Sequence, residues 1–82
     1  MDEVRLKRLR MRSWRRGTKE MDLILGPFAD ARLRTLAPDE LDRYEALLVE
    51  DDQALYGWIA RGGTPPDGYT RLVADIRRAA GA

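Results

Sequence analysis

The sequence predicts an all-α fold, a small bundle of four to five short helices, and three observations lead there. The period-2 alternation of a half-buried strand is absent, and the β-branched residues Val and Ile are scarce. Apolar residues instead recur three and four positions apart in short runs. Each run is bracketed by helix-starting Asp, Thr or Pro and by helix-stopping Gly. The 82 residues fit a single helical domain over 1–82. A domain of that size buries only roughly 60–65% of the surface its unfolded chain exposes, which leaves room for one modest core and little for a deep, water-free reaction pocket.

The first helix is expected over residues 2–14. Asp2 and Glu3 suit its positive N-terminal end, and the arginines suit its later turns. Val4, Met11 and Trp14 share one face and Leu6 and Leu9 lie off it, so the apolar stripe is broad and imperfect. The second helix starts after Gly17. Thr18 is its cap, Glu20 and Asp22 lie in its first turn, and Met21, Ile24, Leu25 and Phe28 lie at helical spacing. Gly26-Pro27 should kink this segment or divide it into two shorter helices, because an internal proline removes a backbone donor and crowds the preceding turn. Leu33 and Leu36 continue the apolar set.

The third helix opens with Pro38, Asp39 and Glu40, carries Leu41, Tyr44, Leu47 and Leu48 inward, and ends near Glu50. Asp51 or Asp52 caps the fourth, whose inner face is Leu55, Trp58 and Ile59. Arg61-Gly62-Gly63 stops it, and Pro65-Pro66 bars continuation. The fifth covers residues 67–80, with Leu72, Val73 and Ile76 inward. Connections this short join antiparallel neighbours.

What is missing from the composition narrows the chemistry. The chain has neither cysteine nor histidine, so disulfides, thiolate nucleophiles, imidazole bases, zinc sites and His-ligated haem are excluded. The sequence contains no EF-hand loop, and no metal site is expected. No apolar run approaches the ~20 residues that span a bilayer. The charged N-terminal segment lacks the apolar stretch of a secretory signal, and Asp2 and Glu3 argue against a mitochondrial transit peptide, so a bacterial cytoplasmic protein is expected.

The net charge of +1 conceals an asymmetry. Residues 1–20 carry eight Lys or Arg against three acids, and residues 39–52 carry seven acids against Arg43 alone. A molecule so polarised orients on a charged partner. Two solvated helix faces of opposite sign would give the same counts.

Arg15-Arg16-Gly17-Thr18-Lys19-Glu20, between the first two helices, is the candidate binding site. Glycine permits backbone conformations closed to other residues and leaves no side chain in the way of an approaching surface. Arg16 and Glu20 are four apart and share a face if the helix begins early enough. Arg16 could then grip a carboxylate or phosphate in paired hydrogen bonds, and Glu20 could accept backbone N–H groups or pair with a partner's arginine. Spacing alone favours a plainer account, a local surface pair worth about 0–1 kcal/mol. Trp14, at the end of a helix, is more often partly buried core than a stacking platform, and the same holds for Tyr56 and Trp58.

RRGTKEMDLILGPFAD resembles the RGxxE signature of the succinate dehydrogenase assembly factor 2 family, also called FAD assembly or flavinylation factors. The matching positions are Arg16, Gly17, Glu20, Met21, Asp22, Gly26 and Phe28. LAPDELDRYEALLVEDDQALYGWIARG is similar to the family's acidic third helix and its Asp-x-x-Leu-Tyr-x-Trp segment, here Asp52, Leu55, Tyr56 and Trp58. The likeness spans roughly residues 5–66, and the register of its parts makes it far more specific than the five-residue motif alone. It implies a five-helix assembly factor, not an enzyme. Such a factor binds the flavoprotein subunit of succinate dehydrogenase, and in some bacteria that of fumarate reductase. It promotes self-catalysed covalent attachment of FAD to a histidine of that subunit, and departs before the iron–sulfur subunit docks. Arg16, Gly17 and Glu20, with Asp22, Arg15 and Trp14 beside them, would face the partner near its flavin. Arg16 would supply positive charge where the reduced flavin gathers negative charge. RGTKE is neither a dinucleotide fingerprint nor a P-loop, so FAD is expected to belong to the partner and not to bind this chain stably.

Two other classes compete. A basic first helix with Met11 and Trp14 suits a nucleic-acid-binding or antitoxin-like regulator. The pI of about 8.1 and the acidic segment weigh against it. A carboxylate-based hydrolase or transferase is weaker still, since no pair of acids falls in an evident pocket.

Overall fold

Local sequence signals set the helix ends in the computed structural model, which describes residues 2–81. Helix α1 runs Glu3–Trp14, and its cap Asp2 accepts the N–H groups of Val4 and Arg5 at 3.0 and 3.2 Å. Helix α2 runs Lys19–Arg32, and the Thr18 hydroxyl accepts the Met21 N–H at 3.3 Å. A 3₁₀ turn, Leu33–Thr35, leads to α3, Pro38–Leu47, which has proline in its first turn and the Glu40 carboxylate accepting the Ala37 N–H at 3.4 Å. Helix α4 runs Asp52–Ile59, and Asp51 is its cap, accepting from Gln53 and Ala54 at 3.0 and 3.3 Å. A second 3₁₀ turn, Asp67–Tyr69, forms the first turn of the expected fifth helix, and α5 follows as Thr70–Ala79. Among the described residues there is no strand, and no helix is long and apolar enough to cross a membrane.

One expectation is corrected. Gly26-Pro27 does not divide α2, which is one helix with Pro27 inside it. Pro27 is exposed while Gly26 and Phe28 on either side of it are buried. The carbonyl its missing N–H would have engaged is that of Leu23, itself 56% exposed, so water satisfies it and no buried group is orphaned. In α1 the packing selects one side of the broad apolar stripe. Its buried residues are Leu6, Leu9 and Ser13, whereas Val4, Met11 and Trp14 are 67%, 43% and 39% exposed. Leucines beat a face of longer spacing because they meet the rest of the core, including Leu25, Phe28 and Tyr44.

That core is continuous and draws on all five helices. Phe28 of α2 stacks on Tyr44 of α3 with ring centroids 5.7 Å apart. The Tyr44 phenol is fully buried and lies 2.6 Å from the Ser13 hydroxyl, which donates onward to the Leu9 carbonyl at 2.8 Å. Tyr44 therefore donates to Ser13, which closes this buried polar pair between α1 and α3. Burial pushes the Tyr44 phenol from its ordinary 10.0 up to about 12, against the opposing pull of the nearby Arg16 and Arg12 charges.

Two outcomes follow. Leu9→Ala should cost about 2–5 kcal/mol in urea unfolding, against less than about 0.5 for Val4→Ala, which reads directly which face of α1 is inside. Because the folded-state pKa of Tyr44 is raised, its contribution is complete below pH 10 and lost as pH climbs to about 12. Wild type should lose about 2 kcal/mol more than Tyr44→Phe across that window, measured as the difference between their unfolding free energies.

Candidate functional site

The backbone leaves α1 at Trp14 and enters α2 at Lys19 through a tight turn at 15–18. Gly17 takes φ +104°, a region that side chains rarely enter, so the turn needs glycine there. The Asp22 carboxylate reaches back from the first turn of α2 to accept the Arg16 N–H at 2.6 Å. The turn is thus closed from the α2 side by Asp22 and capped by Thr18.

The Arg16 side chain points into the protein and is only 11% exposed. Its Nε and Nη2 donate to Asp52 Oδ1 at 2.9 and 2.8 Å, Nη2 also donates to the Glu50 carbonyl at 2.8 Å, and Nη1 donates to the Leu48 carbonyl. Leu48 caps the C-terminus of α3, where carbonyls lack helical partners and a cation is favoured. Asp52 lies in the first turn of α4, where an anion is favoured. One guanidinium thereby ties the 15–18 turn to the α3–α4 corner. Because Asp51 performs the capping, Asp52 is free for this pairing. Arg16 lies outside α2, so it and Glu20 do not form the helical pair considered from spacing.

Glu20 is exposed, with no ion pair among the described residues. It lines an open groove of about 580 Å³ together with Thr18, Met21, Asp52, Gln53, Tyr56, Gly57 and Arg61. The α4 members fall at i, i+1, i+4 and i+5, one flank of that helix beside its buried Leu55 and Ile59. Arg61 closes the far end with its guanidinium 5.5 Å from the Tyr56 ring centroid, a cation–π contact. The groove therefore has carboxylates at one end, a cation at the other and an aromatic wall between.

Arg16, Gly17, Glu20 and Asp22 come together in this turn and its groove. Arg15 does not; it turns to the other side, into a shallower groove with Arg8, Met11 and Arg12. Trp14 also points elsewhere. Its ring lies flat on Gly26, so close that a Cβ there would fall 2.3–2.6 Å from the indole, and its Nε1 donates to Asp30 at 3.2 Å. Gly26 is thus a docking spot for tryptophan, and Trp14 is a clamp between α1 and α2. Sequence reasoning did not assign Asp52, Gln53, Tyr56, Gly57 and Arg61 to the site. The available signal was the Asp-x-x-Leu-Tyr-x-Trp segment, whose Asp52 and Tyr56 lie one turn apart on a flank of α4 beside the buried Leu55 and Ile59.

The groove holds no nucleophile–base pair, and among the described residues no cluster of acids could hold a metal ion. Its shape and lining suit a polypeptide segment. Truncation should separate the roles of Arg16 and Glu20. Arg16→Ala strands a carboxylate and two carbonyls and should cost about 2–4 kcal/mol in chemical unfolding. Glu20→Ala, exposed and unpaired, should cost less than about 1 kcal/mol.

Comparison with known proteins fits this arrangement. The sequence model of a family described as flavinator of succinate dehydrogenase matches residues 7–80. The FAD assembly factor SdhE of Pseudomonas aeruginosa is 39% identical over 77 residues, covering 94% of this chain and 83% of that protein. The mitochondrial succinate dehydrogenase assembly factor 2 of Candida glabrata is 44% identical over 54 residues, 66% of this chain, and that of Lodderomyces elongisporus is 39% identical over 59 residues, 72% of this chain. This chain spans only 35% and 36% of those two longer proteins. No solved structure matches. With the family model covering nearly the whole helical domain, the chain belongs to the family of flavinators of succinate dehydrogenase.

Proposed function

We propose that this protein binds the flavoprotein subunit of succinate dehydrogenase, and in some bacteria that of fumarate reductase, and promotes covalent attachment of FAD to it without being a catalyst itself. The observation that carries the reading is the pinned turn. Arg16 and Asp22 fix its backbone, and Gly17 and Glu20 stand exposed at the mouth of a groove sized for a polypeptide segment. Gly17 and Glu20 face the partner, Arg16 and Asp22 hold the turn that presents them, and Arg15 and Trp14 lie to either side with their side chains directed elsewhere.

FAD remains with the partner. The groove carries the carboxylates of Glu20 and Asp52 beside a single cation, Arg61, and the sequence has no glycine-rich phosphate loop, so the lining does not suit a pyrophosphate. This chain's part is to select one arrangement of the partner. If the attachment-competent arrangement is populated to about 1% in the free subunit, binding that shifts it to the majority raises the rate up to about a hundredfold, with no catalytic group supplied. Arg16 acts through the turn it holds, and Glu20 makes the contact. The cytoplasm, where the bacterial flavoprotein subunit is expected before assembly, is the site of action in this proposal.

The test is covalent flavin fluorescence in denaturing gels after mixing this protein with the FAD-loaded, unflavinylated subunit. Wild type should accelerate labelling, while Glu20→Ala should lose at least about tenfold with the fold intact. Arg16→Lys should lose activity along with stability, because a lysine cannot reproduce the guanidinium's several fixed bonds. No acceleration by wild type would end the proposal.

A further inference from the structure

Helix α1 presents a different surface on each of four sides. Leu6, Leu9 and Ser13 face the core. On one edge, Arg5 binds Asp42 and Glu45 of α3, both at 2.7 Å, and Arg12 approaches Glu45 at 3.9 Å. On the opposite edge, Trp14 lies on α2 and Glu3 pairs with Arg34. The fourth side, directly away from the core, carries Val4, Arg8, Met11 and Arg15 at i, i+4, i+7 and i+11, with Lys7 alongside.

Nothing within the fold accounts for this fourth side. Lys7, Arg8 and Arg15 have no ion pair among the described residues, and Val4 and Met11 stand exposed between them. Like charges three and four apart on one helix, such as Arg8 with Arg12 and Arg12 with Arg15, are mildly destabilising without counter-charges. Arg8, Met11, Arg12, Arg15 and Arg16 line a shallow groove of about 320 Å³. Arg16 belongs to that groove and also to the pinned turn, so the basic stripe runs without a break into the proposed contact site.

We infer that the outer stripe of α1 is a second docking surface, which seats on a carboxylate-bearing face of the same flavoprotein subunit and steers this protein onto it. The inference rests on the proposed function. The adjoining edge of α1 already binds a row of carboxylates: Arg5 donates through both Nε and Nη2 to Glu45. A protein surface fits better than a nucleic acid for two reasons. Asp42 and Asp39 of α3 are 69% and 71% exposed on a neighbouring helix and would repel a phosphate backbone that runs on past the stripe, whereas a bounded group of carboxylates need not reach them. Val4 and Met11 interrupt the cations with apolar contact area, which discrete carboxylates on a folded partner accommodate and a continuous line of phosphates does not.

The test measures association of this protein with the FAD-loaded, unflavinylated subunit at low and high salt, roughly 50 and 300 mM. Wild type is compared with Lys7→Glu/Arg8→Glu and with Arg71→Glu, an exposed change on α5 away from the stripe. The double reversal should lower the low-salt association rate by about tenfold or more and flatten its salt dependence, while Arg71→Glu follows wild type. Circular dichroism checks the fold. If the reversal disturbs α1, Lys7→Gln/Arg8→Gln removes the same charges with helix propensity retained and should show the same loss. Unchanged association and salt dependence in a variant that still binds would overturn the stripe and leave the proposed function standing. No binding by wild type would remove both. Salt-steep binding of wild type to generic duplex DNA or RNA, lost in the double variant while flavoprotein kinetics stay unchanged, would reassign the stripe to nucleic acid and overturn the inference.

Discussion

The Arg16 guanidinium sits where the α1–α2 turn meets the α3–α4 corner, and the shape of the exposed site depends on it. Its bonds to Asp52 and to the Leu48 and Glu50 carbonyls join segments more than 30 residues apart in sequence. They do so at a helix C-terminus and a helix N-terminus, where the backbone itself favours a cation and an anion respectively. A surface ion pair would contribute little, but this one also satisfies carbonyls that the end of α3 leaves without donors. Gly17 and Asp22 complete the turn from within. The groove beside Glu20 exists because one of its walls, α4, is tied to the turn that forms the other.

Charge is distributed by the same logic. The sequence shows a basic first segment and an acidic third one, which suggests an electric dipole aimed at a partner. Folding sets α1 beside α3, and Arg5 and Arg12 meet Asp42 and Glu45 internally. What remains outward is narrower than the composition implies: a stripe of uncompensated cations on α1 that leads to the turn. The unpaired cations of the first segment are therefore gathered on one helix face, beside the exposed Asp39 and Asp42 of α3.

Trp14 and Gly26 illustrate how tightly the two site-bearing helices are joined. The indole lies against bare backbone, and any side chain at 26 would push it away. The glycine that resembles a helix breaker in sequence thus works as a contact surface, and with Pro27 turned to solvent the helix continues through both. A turn that must present Gly17 and Glu20 at fixed positions gains from helices that cannot slide past each other.

Helix starts, caps and stops were legible in the sequence because each depends on residues within three or four positions. Asp2, Thr18, Pro38 and the Asp51–Asp52 pair mark their helices, and Gly17 marks the turn. The inner residues of α3 and α5 followed for the same reason, since each helix has one unambiguous apolar face. The face of α1 was not legible. Leu6 and Leu9 compete there with Val4, Met11 and Trp14, and only the neighbours across the core decide between them. The destination of Arg16 was equally hidden. Spacing offered Glu20, four residues away, but the turn keeps Arg16 out of the helix and delivers it to Asp52, 36 residues away. The sequence by itself determined the elements and the location of the exposed turn. Tertiary structure alone decided which charges cancel, which face of α1 is buried and what walls the groove, because those depend on packing between segments that no local rule connects.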